Sequence, residues 1–343
     1  MVIVGILVFG AVGLFALLAS AIHSATGGGH AHGGSGASEL HEVLVEDHDS
    51  KNKIAVLAVE GVITGNPIDP EGRTLVDLVK HQLQRAADDD AVKAVVLRVD
   101  SPGGEVLASD EIYRLLWTFM EDHPEKPVVA SMGSLAASGG YYVSAPCRWI
   151  VANELTMTGS IGVIFHSYNY RGLMDKVGVR PAITKSGKLK DMMSGEKTVE
   201  EELPEERQIM QSMIDESFGR FKQIIRDGRN RAAKLNAGAG KPLVNGWESI
   251  ADGRILSGQT ALDQGLVDEL GNFGVAVDRA LKLARIEDAN LVSFDPPLSF
   301  SSLFRMFGKA QSEATTVRVD LGMGIPSRLP QGRLYFLSPV HAH

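Results

Sequence analysis

The sequence predicts an α/β fold built on a mostly parallel sheet, and three observations indicate this. From Lys53 onward, short apolar runs of strand length alternate with longer amphipathic stretches of helix length. This alternation is typical of βαβ units with right-handed crossovers. Glycine-rich loops follow the second and third predicted strands, where parallel sheets carry their functional loops. The chain has 343 residues, 44% of them hydrophobic, which is enough to bury a full core.

The predicted elements follow one another in chain order. Three strands (KIAVLAVEGVI, VKAVVLRVD and KPVVASMG) alternate with two helices (TLVDLVKHQLQRAA and DEIYRLLWTFMED). The stretch AASGGYYVSA starts a further helix, and a long helix with an apolar stripe begins at Pro204. Two brief helical stretches are predicted within residues 251–271, and a closing helix within GNFGVAVDRALKLARI.

The N-terminus predicts a membrane anchor. Val2 to Ile22 is a run of about 21 uncharged residues, long enough to cross a bilayer as a helix. A cleavable signal peptide is the alternative, because Ala19 to Ala21 reads ASA, a small-residue cleavage pattern. No Lys or Arg precedes the run, and it exceeds the usual signal length of about 7 to 15 apolar residues, so we expect a retained anchor. The first Lys or Arg of the chain is Lys51, so the positions of Lys and Arg do not fix the orientation of the anchor in the membrane.

Composition divides the chain into four segments. These are an anchor (1–23), a Gly/Ser-rich linker (24–50), the main domain (51–290) and a C-terminal extension (291–343). His30 and His32 in the linker have no carboxylate or cysteine partner, so we expect no metal there. The formal net charge of -8 argues against binding of nucleic acid. The single cysteine, Cys147, excludes an intramolecular disulfide.

Two glycine-rich loops predict a site for acyl transfer. In DSPGGEV, Pro102 fixes its own φ while Gly103 and Gly104 allow an amide N–H to point into a cleft. In GSLAASGGYY, small neighbours leave Ser138 accessible near a helix N-terminus, where negative charge is stabilised. Ser138 is therefore a candidate nucleophile. A packing or N-cap role for this serine is the alternative that the pattern alone leaves open.

Four motifs, in order, resemble the signal peptide peptidase A family, the serine proteases of peptidase family S49. They are LRVDSPGG, SMGSLAASGGYYVSAPCRWIVANELTMTGSIGVI, KSGKLKDMMS and ADGRILSGQTALDQGLVDELG. The resemblance covers roughly Lys53 to Arg285 and implies the ClpP/crotonase-like fold of repeated ββα units. SPGG and ASGGYY each occur once, so the chain is similar to the short, single-repeat form of the family.

The resemblance implies a catalytic dyad of a serine and a lysine. Ser138 matches the nucleophile, and among Lys185, Lys188 and Lys190 the short-form pattern falls on Lys190. A lysine acts as a general base only when neutral, and burial favours the neutral form. We therefore expect Lys190 to be mostly hidden from water, with Lys188 and Lys185 as solvated surface charges.

Three further residues complete the site that the resemblance implies. Ser160 in TGSIGV matches a hydroxyl that orients the lysine, and the backbone N–H groups of Gly104 and Gly139 match the oxyanion hole. His166 allows a rival Ser/His/Asp mechanism, but no aspartate near it stands out as a partner. We therefore interpret His166 as a loop or groove residue.

The implied function is that of a membrane-anchored serine endopeptidase that degrades short apolar peptides such as cleaved signal peptides. The resemblance implies no cofactor or metal, assembly as a homo-oligomer, and a place in the bacterial inner membrane with the catalytic domain outside the cytoplasm. Two alternatives belong to other classes: a crotonase-type acyl-CoA enzyme, which needs neither Ser138 nor a buried lysine, and an inactive membrane scaffold.

The C-terminal tail ends in a strand-favouring apolar run, Leu334 to Leu337. A tethered peptide of this kind has a high effective concentration at a groove that binds extended apolar peptides, and it can add a strand along the groove's edge. A loose chain end, or a strand packed elsewhere, is the alternative interpretation.

Overall fold

The computed structural model describes residues 40–69, 71–296 and 334–337. Among these residues, nine strands form one sheet whose main path runs β1-β10-β2-β3-β5-β6-β9, and β7 joins β5 to β8. A separate two-stranded sheet pairs β11 with β4. The strands are β1 His41–Glu46, β2 Lys53–Glu60, β3 Val92–Ser101, β4 Gly103–Glu105, β5 Val128–Ala137, β6 Trp149–Ala152, β7 Met157–Gly159, β8 Ile255–Ser257, β9 Glu269–Leu270, β10 Asn290–Asp295 and β11 Tyr335–Leu337.

Helices cover both faces of the main sheet. They are α1 Leu75–Asp88, α2 Val106–Asp122, α3 Gly139–Ser144, α4 Arg171–Lys176, α5 Pro204–Leu235, α6 Gly258–Asp263 and α7 Phe273–Ala284, with a 3₁₀ turn at Trp247–Ile250. Ala94 and Val96 of β3 pack in the same cluster as residues of α7. Val95 and Leu97 pack in the larger cluster with α1, α2 and α5. This two-sided burial explains why β3 is a continuous apolar run.

The structure confirms the predicted alternation and the parallel core of the sheet. Strands β2, β3, β5 and β6 are parallel neighbours, and the first predicted helix matches α1. Helix α2 begins at Val106, directly after the glycine-rich β4, and so starts earlier than the apolar pattern indicates. The prediction of two helical stretches within residues 251–271 is wrong in part. This segment holds one helix, α6, between the short strands β8 and β9, because β8 pairs with β7 and β9 pairs with β6.

The predicted anchor, Val2 to Ile22, lies outside the described residues. No helix in the described ranges is long and apolar enough to span a bilayer. The predicted linker, 24–50, includes a strand at its end. His41–Glu46 forms β1, which pairs antiparallel with β10 at the edge of the sheet. Its apolar run is only three residues long, Val43 to Val45, which is too short for composition to separate a strand from a linker.

Candidate active site

Ser138 lies at the sharp turn between β5 and α3. Its φ of 54° and ψ of -115° are unusual for a residue with a side chain, and the surrounding hydrogen bonds hold this conformation. The Ser138 N–H donates to the Gly159 carbonyl at 2.8 Å, and its carbonyl accepts from the Tyr142 N–H at 2.8 Å. Ser138 is 1% exposed, and its Oγ has no hydrogen-bond partner within the described part of the chain. This hydroxyl is rigidly placed and unengaged.

The glycine-rich strand β4 brings the Gly104 amide beside the turn that carries Ser138. One edge of β4 is hydrogen-bonded to Ile63. The Ile63 carbonyl accepts a hydrogen bond from the Glu105 N–H at 2.7 Å, and the Ile63 N–H donates to the Gly103 carbonyl at 2.9 Å. Successive residues of a strand point their N–H groups to opposite edges, so the Gly104 N–H faces away from Ile63. A Cβ on Gly139 would lie 3.1 Å from the Gly104 nitrogen. The structure thus brings Gly104 and Gly139 together at the turn that carries Ser138.

Strand β11 lies along the edge of β4 that faces away from Ile63. The two strands are antiparallel, with Phe336 opposite Gly104. The Val106 N–H donates to the Leu334 carbonyl at 3.1 Å, and hydrogen-bonded pairs alternate along an antiparallel ladder. Phe336 and Gly104 are therefore the next hydrogen-bonded pair, in which the Gly104 N–H faces the Phe336 carbonyl. The tail forms the strand that its sequence favours, and it forms it at the site.

Ser160 and His166 occupy different environments. Ser160 is buried, with a φ of 49°, and its N–H donates to the Arg254 carbonyl at 2.7 Å. It directly follows Gly159, which holds the Ser138 backbone, so the two serines lie on neighbouring strand ends. His166 is exposed, as expected for a loop or groove residue.

The three clustered lysines differ in their partners. Lys185 donates to Asp191 at 2.8 Å, and Lys188 donates to Glu205 at 2.7 Å. The Lys190 side chain makes no hydrogen bond or ion pair with any described residue, and it is exposed. The expectation that Lys190 is buried is thus wrong for this single chain. The reason is that its segment is built of turns and packs on the start of α5, through Lys188 and Glu205, instead of over Ser138.

A buried ion-pair cluster lies beside Lys190, and no sequence pattern indicates it. The Lys197 Nζ is 2.6 Å from Glu206 and 3.1 Å from Asp191, while the Met193 N–H donates to Glu206 at 3.2 Å. Burial works to lower the pKa of Lys197, but hydrogen bonds from its ammonium to Glu206 and Asp191 outweigh burial and raise it. The hydrogen bond from Lys185 is the main cause that lowers the pKa of Asp191. Scattered charges normally indicate a solvated surface, so no local signal marked this cluster.

Acidic and histidine side chains in the described ranges do not form a metal site. No group of three or more His, Cys, Asp or Glu residues in those ranges is placed to hold an ion.

A comparison with protein families matches residues 121–287 to Peptidase family S49. Two curated relatives are 37% and 36% identical to this chain over 76% and 80% of its length. The chain belongs to peptidase family S49. It is a serine peptidase. Ser138, Ser160 and Lys190 lie within the residues that match the S49 family. Gly104 lies before the matched region, within the loop that the structure brings beside Gly139.

Three relatives of this S49 peptidase bear protease names. A candidate signal peptide peptidase SppA of Enterococcus faecium is 37% identical over 76% of this chain and 72% of its own. A candidate protease of Synechocystis sp. is 36% identical over 80% of this chain and 89% of its own. Protease 4 of Haemophilus influenzae is 34% identical over 70% of this chain but only 36% of its own. The chain therefore spans about a third of Protease 4.

Proposed function

We propose that this S49 peptidase is a membrane-anchored endopeptidase with a ClpP/crotonase-like domain, which degrades short apolar peptides such as cleaved signal peptides. Ser138 is the nucleophile and Lys190 the general base. The observation that carries the proposal is the strained turn at Ser138, which places an unengaged hydroxyl beside the Gly104 and Gly139 amides. A nucleophile without a hydrogen-bond partner beside two backbone amide donors is the arrangement that acyl transfer needs.

The reaction would proceed by acyl transfer to Ser138. The Ser138 Oγ attacks the peptide carbonyl carbon while its proton passes to the neutral Lys190 amine. The oxyanion accepts hydrogen bonds from Gly104 and Gly139, each contributing about 3 kcal/mol to transition-state stabilisation. Lys190 then gives the proton to the leaving amine, and water hydrolyses the ester on Ser138. The Ser160 hydroxyl orients Lys190 by hydrogen bonding.

Lys190 must be shielded from water to act as a base, and we attribute that shielding to a second copy of the chain. Residues 164–213 around Lys190 carry large apolar side chains that are exposed in the single chain. They include Leu173, Val177, Val179, Ile183 and Val199. A face with this many exposed apolar residues is typical of a subunit interface, and a closed ring would bury it in every copy. A homo-oligomer would thus complete the site.

The anchor would be the Val2 to Ile22 segment, in the bacterial inner membrane, with the catalytic domain outside the cytoplasm. Protease added to spheroplasts tests this placement. Digestion of the domain in intact spheroplasts is expected, whereas a domain protected until the membrane is lysed would reverse the topology.

Labelling with a fluorophosphonate tests the nucleophile itself. The full chain is expected to bind the probe covalently, and the Ser138→Ala chain is not. A crotonase-type acyl-CoA enzyme or an inactive scaffold has no activated serine and would remain unlabelled, which would overturn the proposal.

A further inference from the structure

Strand β5 contains a bulge just before it reaches the candidate active site. Val99 of β3 faces Met132 of β5, and Ser101 faces Ala136, so β3 advances by two residues where β5 advances by four. Three residues of β5 thus lie opposite one residue of β3. A bulge bends its strand and re-aims the residues that follow, and bulges are common next to active sites. This bulge therefore sets the direction in which β5 enters the turn that carries the nucleophile.

Asp100 is the residue of β3 that lies opposite the bulge, and its carboxylate holds the bulge in place. The Leu135 N–H donates to the Asp100 Oδ1 at 3.0 Å. A Cβ on Gly133 would lie 2.9 Å from the Asp100 Cγ, so the carboxylate packs directly on the bare Cα of this glycine. Leu135 is buried, so water cannot easily replace this acceptor. The carboxylate makes no other hydrogen bond or ion pair with any residue in the described ranges.

Asp100 also leads directly into the loop that carries the Gly104 amide. The Asp100 carbonyl accepts a hydrogen bond from the Gly61 N–H at 2.9 Å. The Oγ of the next residue, Ser101, donates to the Gly61 carbonyl at 2.6 Å and accepts from the Gly103 N–H at 3.1 Å. The loop is thus fastened at each step between Asp100 and Gly104, and it has little freedom to absorb a shift that begins at Asp100.

Beyond the bulge, β5 is held just as firmly as far as Ser138. Residues 135–137 of β5 pair with residues 157–159 of β7. The Thr158 Oγ1 donates to the Ala136 carbonyl at 2.6 Å, in addition to the bond that holds the Ser138 N–H. A shift that begins at the bulge is therefore carried on to Ser138 and to the amide that follows it.

We propose that Asp100 is a positioning residue for peptide hydrolysis: its carboxylate holds the β5 bulge in the register that brings the Gly104 and Gly139 amides to one oxyanion. This role rests on the proposed function for its use of Ser138 and these two amides. A misplacement of about 1 Å costs about 100-fold in rate, because the oxyanion must meet donors that are already in position. Those hydrogen bonds form only in the transition state, so the loss falls on kcat and leaves KM near its parent value.

Peptide hydrolysis by full-length variants tests this role. Asp100→Ala is expected to lower kcat at least about tenfold and to leave KM near that of the parent. Asp100→Asn is the matched control, because its amide keeps the Oδ1 acceptor for the Leu135 N–H. The new NH₂ group replaces an oxygen that has no partner in the described part of the chain, so this variant should stay near the parent.

Gly133→Ala disturbs the same contact from the other side, because the added methyl group must push the carboxylate away. We expect a lower kcat with KM near that of the parent. Gly219→Ala in α5 is its control, since a Cβ there meets no atom within 4 Å. Thermal unfolding checks that each variant is folded. If Asp100→Ala does not fold, a parent-like kcat in Gly133→Ala overturns the proposal in its place.

Inhibition by a peptide aldehyde gives a second measurement, because its hemiacetal with Ser138 places an oxygen at the same two amides. The inhibition constant should rise in Asp100→Ala by about the factor by which kcat/KM falls, and it should stay near the parent value in Asp100→Asn. A parent-like kcat in folded Asp100→Ala would overturn the proposal. So would an Asp100→Asn chain that loses as much activity as Asp100→Ala.

Fluorophosphonate labelling of the parent chain separates failure of this role from failure of the proposed function. A parent that is not labelled at Ser138 rejects the nucleophile and the role of Asp100 together. A labelled, active parent whose kcat is unchanged by Asp100→Ala rejects the role of Asp100 alone.

Discussion

The Lys197 ammonium lies 2.6 Å from the Glu206 carboxylate, and both side chains are almost fully buried. Lys197 also contacts Asp191, the neighbour of Lys190 in the chain. The cluster thus fastens the segment that carries the proposed base to the first turn of α5. Buried charges of this kind are tolerated only in pairs, because each loses its hydration.

Glu206→Gln is expected to destabilise the fold by about 3 kcal/mol, because it leaves the Lys197 charge buried without its main partner. Urea unfolding followed by circular dichroism measures the change. The matched control is Glu205→Gln, which breaks the exposed pair with Lys188 and should cost less than about 1 kcal/mol. Equal losses for the two variants would show that the buried cluster adds no more than a surface pair.

The same cluster predicts a loss of stability in acid. Burial works to raise the pKa of Glu206, but hydrogen bonds from Lys197 and the Met193 N–H outweigh it and lower the pKa below its ordinary 4.5. The pKa of Glu206 is lower in the folded state than in the unfolded state. The stability that its ionised form contributes is therefore complete above the unfolded-state pKa, and it is lost as pH falls through the folded-state pKa. The urea midpoint of the parent should fall below about pH 4.5 more steeply than that of Glu206→Gln. Parallel curves for the two proteins would contradict this.

Gly104→Ala is expected to lower kcat/KM by about 100-fold or more, because it displaces an oxyanion donor. A Cβ there would lie 1.9 Å from the Ile63 carbonyl oxygen, so β4 must move away from Ile63. Gly219→Ala in α5 is the matched control, since a Cβ there meets no atom within 4 Å and the residue lies outside residues 164–213. Peptide hydrolysis measures the activity of both variants, and thermal unfolding checks that each remains folded. Retained activity in Gly104→Ala would exclude this amide from the oxyanion hole.

The exposed apolar face predicts assembly in solution. Leu173→Glu is expected to weaken self-association at least about tenfold, because the new charge must be buried at the interface. Light scattering on the full chain in detergent measures the mass. Leu155→Glu, the same substitution at an exposed leucine outside residues 164–213, is the control. A parent chain that is monomeric at micromolar concentration would contradict the oligomer.

Much of the fold, and the placement of Ser138 and Gly104 after neighbouring strands, could be predicted because their signals are local. Strand β3 is an apolar run, and the glycines around Ser138 and at Gly104 stand in short motifs directly after strands. The position of Lys190 could not be predicted, because its exposure depends on which distant surface its turns pack against. The pairing of Phe336 with Gly104 joins residues far apart in sequence, so a strand-favouring run indicated β11 but not the strand with which it pairs.

Peptide hydrolysis by three alanine variants tests the central claim most directly. Ser138→Ala and Lys190→Ala are each expected to lose at least about 10⁴-fold in kcat, because residues that act as one catalytic unit are individually indispensable. His166→Ala should keep most of its activity, and circular dichroism should show all three variants folded. An active Lys190→Ala together with an inactive His166→Ala would contradict the account and assign the base to histidine.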